Sequence, residues 1–381
     1  MSAAPKLRVL HLHSSFNLGG KEARCVQLIN AFGMGVAHSI VSAMPGAMEA
    51  TRRIMPGIEW DAGSTFPSLQ GRPTPRRLMG LARAMAGYDL VLTYNFGAMD
   101  AVLAHTLFGA MLGLPPLVHH EDGFNSDEAL RLKPTRNWYR RIALGRASVL
   151  VVPSQRLEHI ALNVWQQPRE KVHRIVNGIT TGAYGGKPRP DALPRVIKRE
   201  GELWLGTLAG LRSVKNLPRL VRAFAGLPEP WQLVILGEGP EREAIRAEAV
   251  RLEIGHRVHL PGHAGVPAKV VGLFDLFALS SDSEQFPISV VEAMAAGLAV
   301  ASTDVGDVAA MVAAENRPFI VPPGDDAVLG QALEALARDP ALRAGVGAAN
   351  RALAVAEYDE ATMVERYRAI YGAAMGLARF A

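Results

Sequence analysis

Ser281-Asp-Ser-Glu-Gln-Phe-Pro-Ile-Ser-Val-Val-Glu-Ala-Met-Ala-Ala-Gly297 is the stretch on which the reading of this chain turns. It follows a short apolar run of strand type, Asp275 to Ser280, and reads as a strand end, a polar turn and a helix start. Pro287 is predicted at the first helical position, where its fixed φ is favourable and its missing N–H costs nothing. Gly297 is the predicted stop. The free N–H groups of Ile288 and Ser289 in the first turn then form an anion site at the carboxyl edge of a sheet. Two carboxylates flank that turn. Glu284 lies in the loop at its mouth, and Glu292 lies inside the helix, over two turns along if the helix is regular. Glu292 sits among Val, Ala and Met, where a charge without a partner would be costly.

Outward from this stretch, strand and helix patterns alternate along the whole chain. Leu7–His13 is a buried-type strand, followed by Asn17-Leu-Gly-Gly20 and a helix from about Lys21 to Phe32, with glycines at the helix entry. Strands at Ser39–Ala43, Asp89–Tyr94, Leu117–His120 and Ser148–Pro153 alternate with helices near Arg76–Ala86, 98–112 and Asn137–Leu144, and another from Ser154. Val172–Val176 and the Asn177-Gly-Ile179 turn close this first series. Residues 181–196 are rich in Gly and Pro, lack periodicity and read as a linker. A second series begins at Leu203–Leu208, with a helix at Asn216–Ala225, a strand at Gln232–Leu236 and a helix at Glu241–Leu252. It ends in helices at about 325–338, 340–355 and 360–377. Such alternation predicts an α/β chain of two doubly wound parallel sheets.

Composition agrees with an ordinary globular protein. A chain of 381 residues exceeds what one core usually fills, so two domains are expected, and 49% apolar with 20% charged residues excludes a disordered chain. Cys25 is the single cysteine, which rules out an intramolecular disulfide and suits a reducing cytoplasm. Lys6 and Arg8 interrupt any apolar run in Met1–Leu10, so no signal peptide is visible. Ala101–Val118 is uncharged over eighteen residues, but Pro115-Pro116 would break a spanning helix, so it reads as a buried helix feeding a strand. Residues 1–183 hold 20 Lys/Arg against 12 Asp/Glu, a balance of +8, whereas residues 184–381 hold 21 against 24. A basic first half suits an anionic partner such as a lipid headgroup or a diphosphate-linked acceptor. No aromatic-interleaved basic run or zinc pattern points to nucleic acid.

The pair of glutamates eight apart, with Phe286-Pro-Ile288 after the first and Glu292-Ala-Met-Ala-Ala-Gly297 around the second, resembles the donor-site signature of glycosyltransferase family 4, a family of retaining GT-B enzymes. The following strand Leu298–Ser302, the Asp304-Val-Gly-Asp307 turn, Gly19-Gly-Lys-Glu22, Val152-Pro-Ser154 and the Asn177-Gly-Ile179 turn fit the same family. The resemblance implies two facing Rossmann-like domains. Residues 1–183 would form the acceptor-side domain and 184–359 the nucleotide-sugar domain, with a last helix in about 360–381 crossing back to the first. It implies further that Glu292 accepts hydrogen bonds from the nucleotide ribose and that Glu284 reaches the transferred sugar. Lys215 and the helix start at Phe286, Pro287, Ile288 and Ser289 would meet the donor diphosphate, faced by Gly20 and Lys21.

Two positions depart from the family pattern. An arginine usually stands five residues before the lysine, where this chain has Gly210, and Arg212 is the nearest substitute. In His119-His-Glu-Asp-Gly123, Asp122 aligns with the family histidine that contacts the sugar, although a small loop shift would place His120 there instead. Either side chain can hydrogen-bond a sugar hydroxyl, but an ionised aspartate would repel phosphate. The activity implied is retaining, metal-independent transfer from a UDP- or GDP-linked sugar to a glycan or lipid-linked acceptor. No metal ligand set is expected, since no D-x-D occurs, and no cofactor beyond the donor. The expected place is the cytoplasm, at the inner face of an anionic membrane. A non-catalytic nucleotide-sugar-binding subunit, suggested by Gly210 and Asp122, and a nucleotide-sugar epimerase are the alternatives. A dehydrogenase is disfavoured by the absent G-x-G-x-x-G.

Overall fold

A computed structural model describes residues 6–124, 128, 132–263 and 265–381, so residues 1–5 of the Met1–Leu10 segment lie outside the described residues. The chain forms two compact units, Met1–Val176 with Met363–Ala381, and Asn177–Thr362.

The first unit runs β1 (Leu7–His13), α1 (Gly20–Phe32), β2 (Val36–Ser42), β3 (Glu59–Asp61), α2 (Pro75–Met85), β4 (Leu90–Tyr94) and α3 (Met99–Leu112). It continues through β5 (Leu117–His120), α4 (Pro134–Ala143), β6 (Val149–Val152), α5 (Gln155–Asn163) and β7 (Val172–Arg174). The strands pair in parallel in the order β3-β2-β1-β4-β5-β6-β7. Helical crossovers enforce this, because parallel neighbours cannot be joined by tight turns. Both sheet faces are covered, which is why the strands read as unbroken apolar runs. Leu10 and Leu12 point to the face packed by Leu81 and Met85 of α2 and Val102 of α3. Val9 points to the other, packed by Cys25 and Ile29 of α1.

The second unit holds β8 (Leu203–Leu208), α6 (Leu217–Phe224), β9 (Trp231–Leu236), α7 (Arg242–Arg251), β10 (Val258–Gly262), β11 (Leu276–Leu279), α8 (Ile288–Ala295), β12 (Val300–Thr303), α9 (Val308–Met311) and β13 (Ile320–Val321). Helices α10 (Asp326–Arg338) and α11 (Pro340–Glu357) follow, and its sheet is parallel in the order β10-β9-β8-β11-β12-β13. Asp325 caps α10 as its pattern predicts, accepting from the N–H groups of Ala327 and Val328. Helix α12 (Glu360–Met375) sends Tyr367 and Tyr371 into the core of the first unit beside Cys25 and Val9.

Both sheets have the doubly wound switch, at β1/β4 and at β8/β11, where consecutive crossovers leave in opposite directions and loops beyond the carboxyl ends of adjacent strands come together. Three local details differ from the sequence-based expectation. Pro287 is the residue capping α8, with extended ψ of 106°, so the helix starts at Ile288. Glu292 is therefore only the fifth helical residue, one turn in. The Asn177-Gly-Ile179 turn is drawn into the second unit, because the Ile179 N–H donates to the Tyr358 carbonyl and the Glu360 N–H to the Ile179 carbonyl. The Gly/Pro-rich stretch after it is also more than a linker: Thr181–Tyr184 forms a 3-10 turn and Leu193 is buried.

Candidate functional site

In the second unit the site is built at the β8/β11 switch. β8 and β11 are hydrogen-bonded neighbours, with Leu276 opposite Leu205, although about seventy residues of chain separate them. Their following loops, 209–216 and 280–287, are consequently side by side. The Asp282 N–H donates to the Val214 carbonyl at 2.8 Å, and the Ser280 hydroxyl donates to the Lys215 carbonyl at 3.0 Å. This joins the two motif residues far apart in sequence: the Lys215 ammonium donates to Glu284 Oε1 at 2.5 Å, and the Ser281 hydroxyl donates to the same oxygen at 2.7 Å.

Glycines let both loops lie where they do. A Cβ on Gly237 would fall 1.8 Å from the Ala209 carbonyl oxygen, and its φ of 153° suits only glycine. Gly306, at φ 61°, allows the Asp304-Val-Gly-Asp307 turn to press on the Glu284 loop, since a Cβ there would stand 2.7 Å from the Glu284 carbonyl oxygen. Behind them Arg219 donates to the Ser280 carbonyl, to Asp282 and to Asp326, bracing the loop from the helix side.

Helix α8 projects from the second loop. Its capping Pro287 offers no side-chain acceptor, and helix geometry leaves the Ile288 and Ser289 N–H groups without intrahelical partners. Its far end closes in a Schellman arrangement, with the Leu298 N–H on the Ala293 carbonyl and the Gly297 N–H on Met294. Phe286 is buried edge-on against Tyr358, which fixes the loop at the helix entry. Glu292 is half-buried and accepts a 2.8 Å hydrogen bond from the Tyr184 hydroxyl. Burial pushes its carboxyl up to about 7, a rise that the Tyr184 hydrogen bond only partly opposes. Tyr184 was hidden from sequence reasoning, since it lies in a stretch with linker composition; its signal was one aromatic among glycines.

Arg212 is exposed, and its side chain makes no hydrogen bond or ion pair among the described residues. Its Nε lies 3.6 Å from the point a Gly210 Cβ would occupy. The guanidinium stem thus folds back over the position from which the family arginine would extend.

The residues singled out in the first unit form a separate set. Gly20 opens α1 behind an extended Gly19. The Lys21 ammonium donates to the Glu22 carboxylate and to the Ser15 carbonyl, the latter at 3.3 Å, so it is already neutralised. His120 is 1% exposed, and both its ring nitrogens are engaged, one with the Thr93 carbonyl at 3.2 Å and the other with the Tyr371 hydroxyl at 2.9 Å. It ties β5 to α12 and has no nitrogen left for a sugar. Asp122 has moved out of the strand and binds Arg24 through both guanidinium nitrogens, while its own N–H donates to Asn95 Oδ1 at 2.7 Å. Burial alone would lower the Arg24 pKa, yet the adjoining Asp122 carboxylate raises it well above the usual value. Glu121, between them, turns inward to the fully buried Arg140, which also pairs with Glu128. The alternation His120 in, Glu121 in, Asp122 out therefore comes from two ionic partners, Arg24 and Arg140, that lie too far along the chain to be linked by pattern.

Comparison with known proteins places this geometry. Residues 190–353 match the model of glycosyl transferases group 1, and residues 18–182 that of glycosyltransferase family 4. The chain is 25% identical over 280 residues to the N-acetyl-alpha-D-glucosaminyl L-malate synthase of Bacillus anthracis, covering 72% of this chain and 71% of that one. Over 157 residues, 41% of each, it is 31% identical to the Campylobacter jejuni N-acetylgalactosamine-N,N'-diacetylbacillosaminyl-diphospho-undecaprenol 4-alpha-N-acetylgalactosaminyltransferase. The crystal structure of Anabaena Alr3699/HepE in complex with UDP superposes with a TM-score of 0.78 over 96% of this chain and 100% of that one, at 19% identity, which establishes the GT-B fold. Fold and sequence together define a sugar-transferring enzyme. The chain belongs to the group 1 glycosyltransferases of family 4.

Three outcomes follow from the second-unit geometry. A carboxylate accepts hydrogen bonds better ionised than protonated, so if Glu292 meets a nucleotide ribose, nucleotide affinity should rise as pH increases through about 7 and this dependence should vanish in Glu292→Gln, as read by calorimetry across pH. The linked stability has the opposite sign: the folded pKa is raised above the ordinary 4.5, so the Glu292 contribution is complete at low pH and is lost as pH rises through about 7. Arg212→Ala should lower turnover by about a hundredfold, the scale of one good transition-state contact, and Gly210→Arg in that background should restore part of it. Unchanged turnover in Arg212→Ala would show that other groups hold the leaving diphosphate.

Proposed function

We propose that the enzyme transfers a sugar from a UDP- or GDP-linked donor to a glycan or lipid-linked acceptor, with retention at the anomeric carbon and without a metal on the diphosphate. The observation that carries this reading is the Lys215–Glu284 contact at the β8/β11 switch, one turn of α8 away from Glu292. Lys215, Arg212 and the Ile288–Ser289 N–H groups supply positive charge and donors to a departing diphosphate. Glu292 accepts from the ribose, whose hydroxyl takes the place of the Tyr184 hydroxyl as donor. Glu284, released from Lys215 as the diphosphate arrives, turns to the hydroxyls of the transferred sugar.

Retention is supported by the engagement of both carboxylates. Glu284 passes from Lys215 and Ser281 to the hydroxyls of the transferred sugar, and Glu292 from Tyr184 to the ribose, so neither stands free as a base for attack from the opposite face. In the front-face course, the bond from the anomeric carbon to the diphosphate oxygen breaks as the acceptor oxygen bonds to the same face, and the acceptor proton passes to the departing oxygen. In the first unit, Asp122 neutralised by Arg24 is suited to accept from a sugar hydroxyl without repelling phosphate. Turnover should persist in excess EDTA, and Glu284→Gln should cut it while nucleotide binding stays near normal. Loss of turnover in EDTA that magnesium or manganese restores would overturn the metal-free course.

Contact with an anionic membrane is supported by the first unit. No helix among the described residues is long and apolar enough to cross a membrane. Yet Trp138 and Ile142 are exposed one turn apart on α4, as are Leu107 and Met111 on neighbouring α3, and Arg141 stacks on Trp138. Amphipathic residues beside arginines suit a headgroup interface. Co-sedimentation with anionic vesicles is expected, falling with added salt and in Trp138→Ala. Binding that ignores salt would argue against an electrostatic attachment.

A further inference from the structure

A second constellation lies in the first unit, inside the core and unused by the transfer chemistry. Period-two alternation puts His11 and His13 of β1 on the same sheet face, and Cys25 of α1 packs over them. All three are at most 1% exposed. Their donor atoms lie within 4.8 Å of one another, with Cys25 Sγ 3.4 Å from His11 Nδ1. The Tyr94 hydroxyl stands 3.3 Å from that same nitrogen. Neither ring nitrogen of His13 has a hydrogen-bond partner among the described residues, although the ring is 0% exposed and stacked on Tyr94. A fully enclosed imidazole with two orphaned nitrogens, beside a thiol, is an arrangement that a packed core does not otherwise favour.

We propose that His11, His13 and Cys25 bind a structural zinc ion, with the Tyr94 hydroxyl facing the fourth position. Thiolate sulfur and imidazole nitrogen are both ligands that zinc takes, and three of them leave one tetrahedral position for the Tyr94 hydroxyl. Bond lengths of about 2.0–2.1 Å to nitrogen and about 2.3 Å to sulfur in a tetrahedron place nitrogen and sulfur roughly 3.6 Å apart, close to the Cys25–His11 separation. The His13 ring needs only a small side-chain movement to join them. His11 also has the outer partner expected of a metal-bound imidazole: its Nε2 lies 3.0 Å from His38 Nδ1, which leaves Nδ1 to the ion. On binding, the Cys25 thiol gives up its proton to solvent and sulfur bonds the metal; nothing is oxidised or reduced. The ion would pin α1 to β1 and so fix the intervening Ser14–Gly20 turn, together with Lys21 and Arg24. It is separate from the diphosphate, whose metal-free departure the EDTA experiment tests, and a closed site would keep its zinc during that treatment.

Cobalt gives the test, because Cys25 is the chain's single cysteine and any thiolate-to-cobalt absorption can come only from it. The full chain, without a histidine tag, is produced in medium supplemented with zinc or, separately, with cobalt, and is then dialysed against EDTA. The expected result is about one zinc per chain, a near-ultraviolet thiolate-to-cobalt band in the cobalt-grown protein, and loss of both in Cys25→Ser and His13→Gln. Wild-type protein with neither zinc nor the cobalt band would overturn the proposal, whether or not the variants fold. So would zinc retained at wild-type level in folded Cys25→Ser, which would put the metal elsewhere.

Discussion

The pairing of β8 with β11 is the constraint on which the donor side of this enzyme depends. Right-handed crossovers place the first strand of the second unit at the centre of its sheet, with the chain leaving in opposite directions on its two sides. At that boundary the loops after β8 and β11 lie side by side, and there Lys215 and Glu284 meet. Everything else in the site serves the depth and angle of those loops. Gly237 admits the Ala209 carbonyl, Gly306 admits the Glu284 carbonyl, and Arg219 ties Ser280 and Asp282 to the start of α10. The geometry of this candidate site is thus a consequence of strand order, carried by backbone contacts that have little to do with sugar chemistry.

Much of this was legible in the sequence because parallel α/β structure writes itself in long, regular signals. Strands buried on both faces appear as apolar runs, and helices between them are long enough for periodicity to show. The Glu284 to Gly297 stretch gave both the helix and the positions of the two carboxylates relative to it. Ends were less legible. Pro287 satisfies the steric rule for the first helical turn equally well one residue earlier, as the cap, and composition alone does not distinguish these positions. The short edge strand β3, three exposed residues, leaves no pattern at all.

What the sequence could not supply were side-chain partners across long separations. Asp122 and His120 were equivalent candidates for a sugar contact, since a loop shift of two residues exchanges them. What sets their side chains apart is Arg24, Arg140 and Tyr371, lying 98, 19 and 251 residues away from Asp122, Glu121 and His120 respectively. Tyr184 belongs to the same class: a residue in an apparently structureless stretch that reaches Glu292, 108 positions on. At Gly210, whose departure suggested a binding protein without activity, the Arg212 side chain lies over the direction that a Cβ would take, an arrangement that the spacing of the motif does not show.

These partners share one electrostatic logic. Lys215 is paired with Glu284, Lys21 with Glu22 and Arg24 with Asp122, each pair largely shielded from water. A shielded cation left alone would be costly, so the unliganded protein keeps each beside a carboxylate. For Lys215 the pairing bears on the proposed function. Under that proposal an incoming diphosphate would exchange with Glu284 rather than meet a bare charge, and that carboxylate would become available only when the lysine is occupied. Donor binding and presentation of Glu284 would then be one event, so a nucleotide lacking its sugar should leave Glu284 displaced and without a partner, whereas the intact donor would supply hydroxyls to receive it. The Arg212 side chain, exposed and without a partner among the described residues, stands outside this exchange and under the same proposal would approach the diphosphate without breaking a side-chain contact.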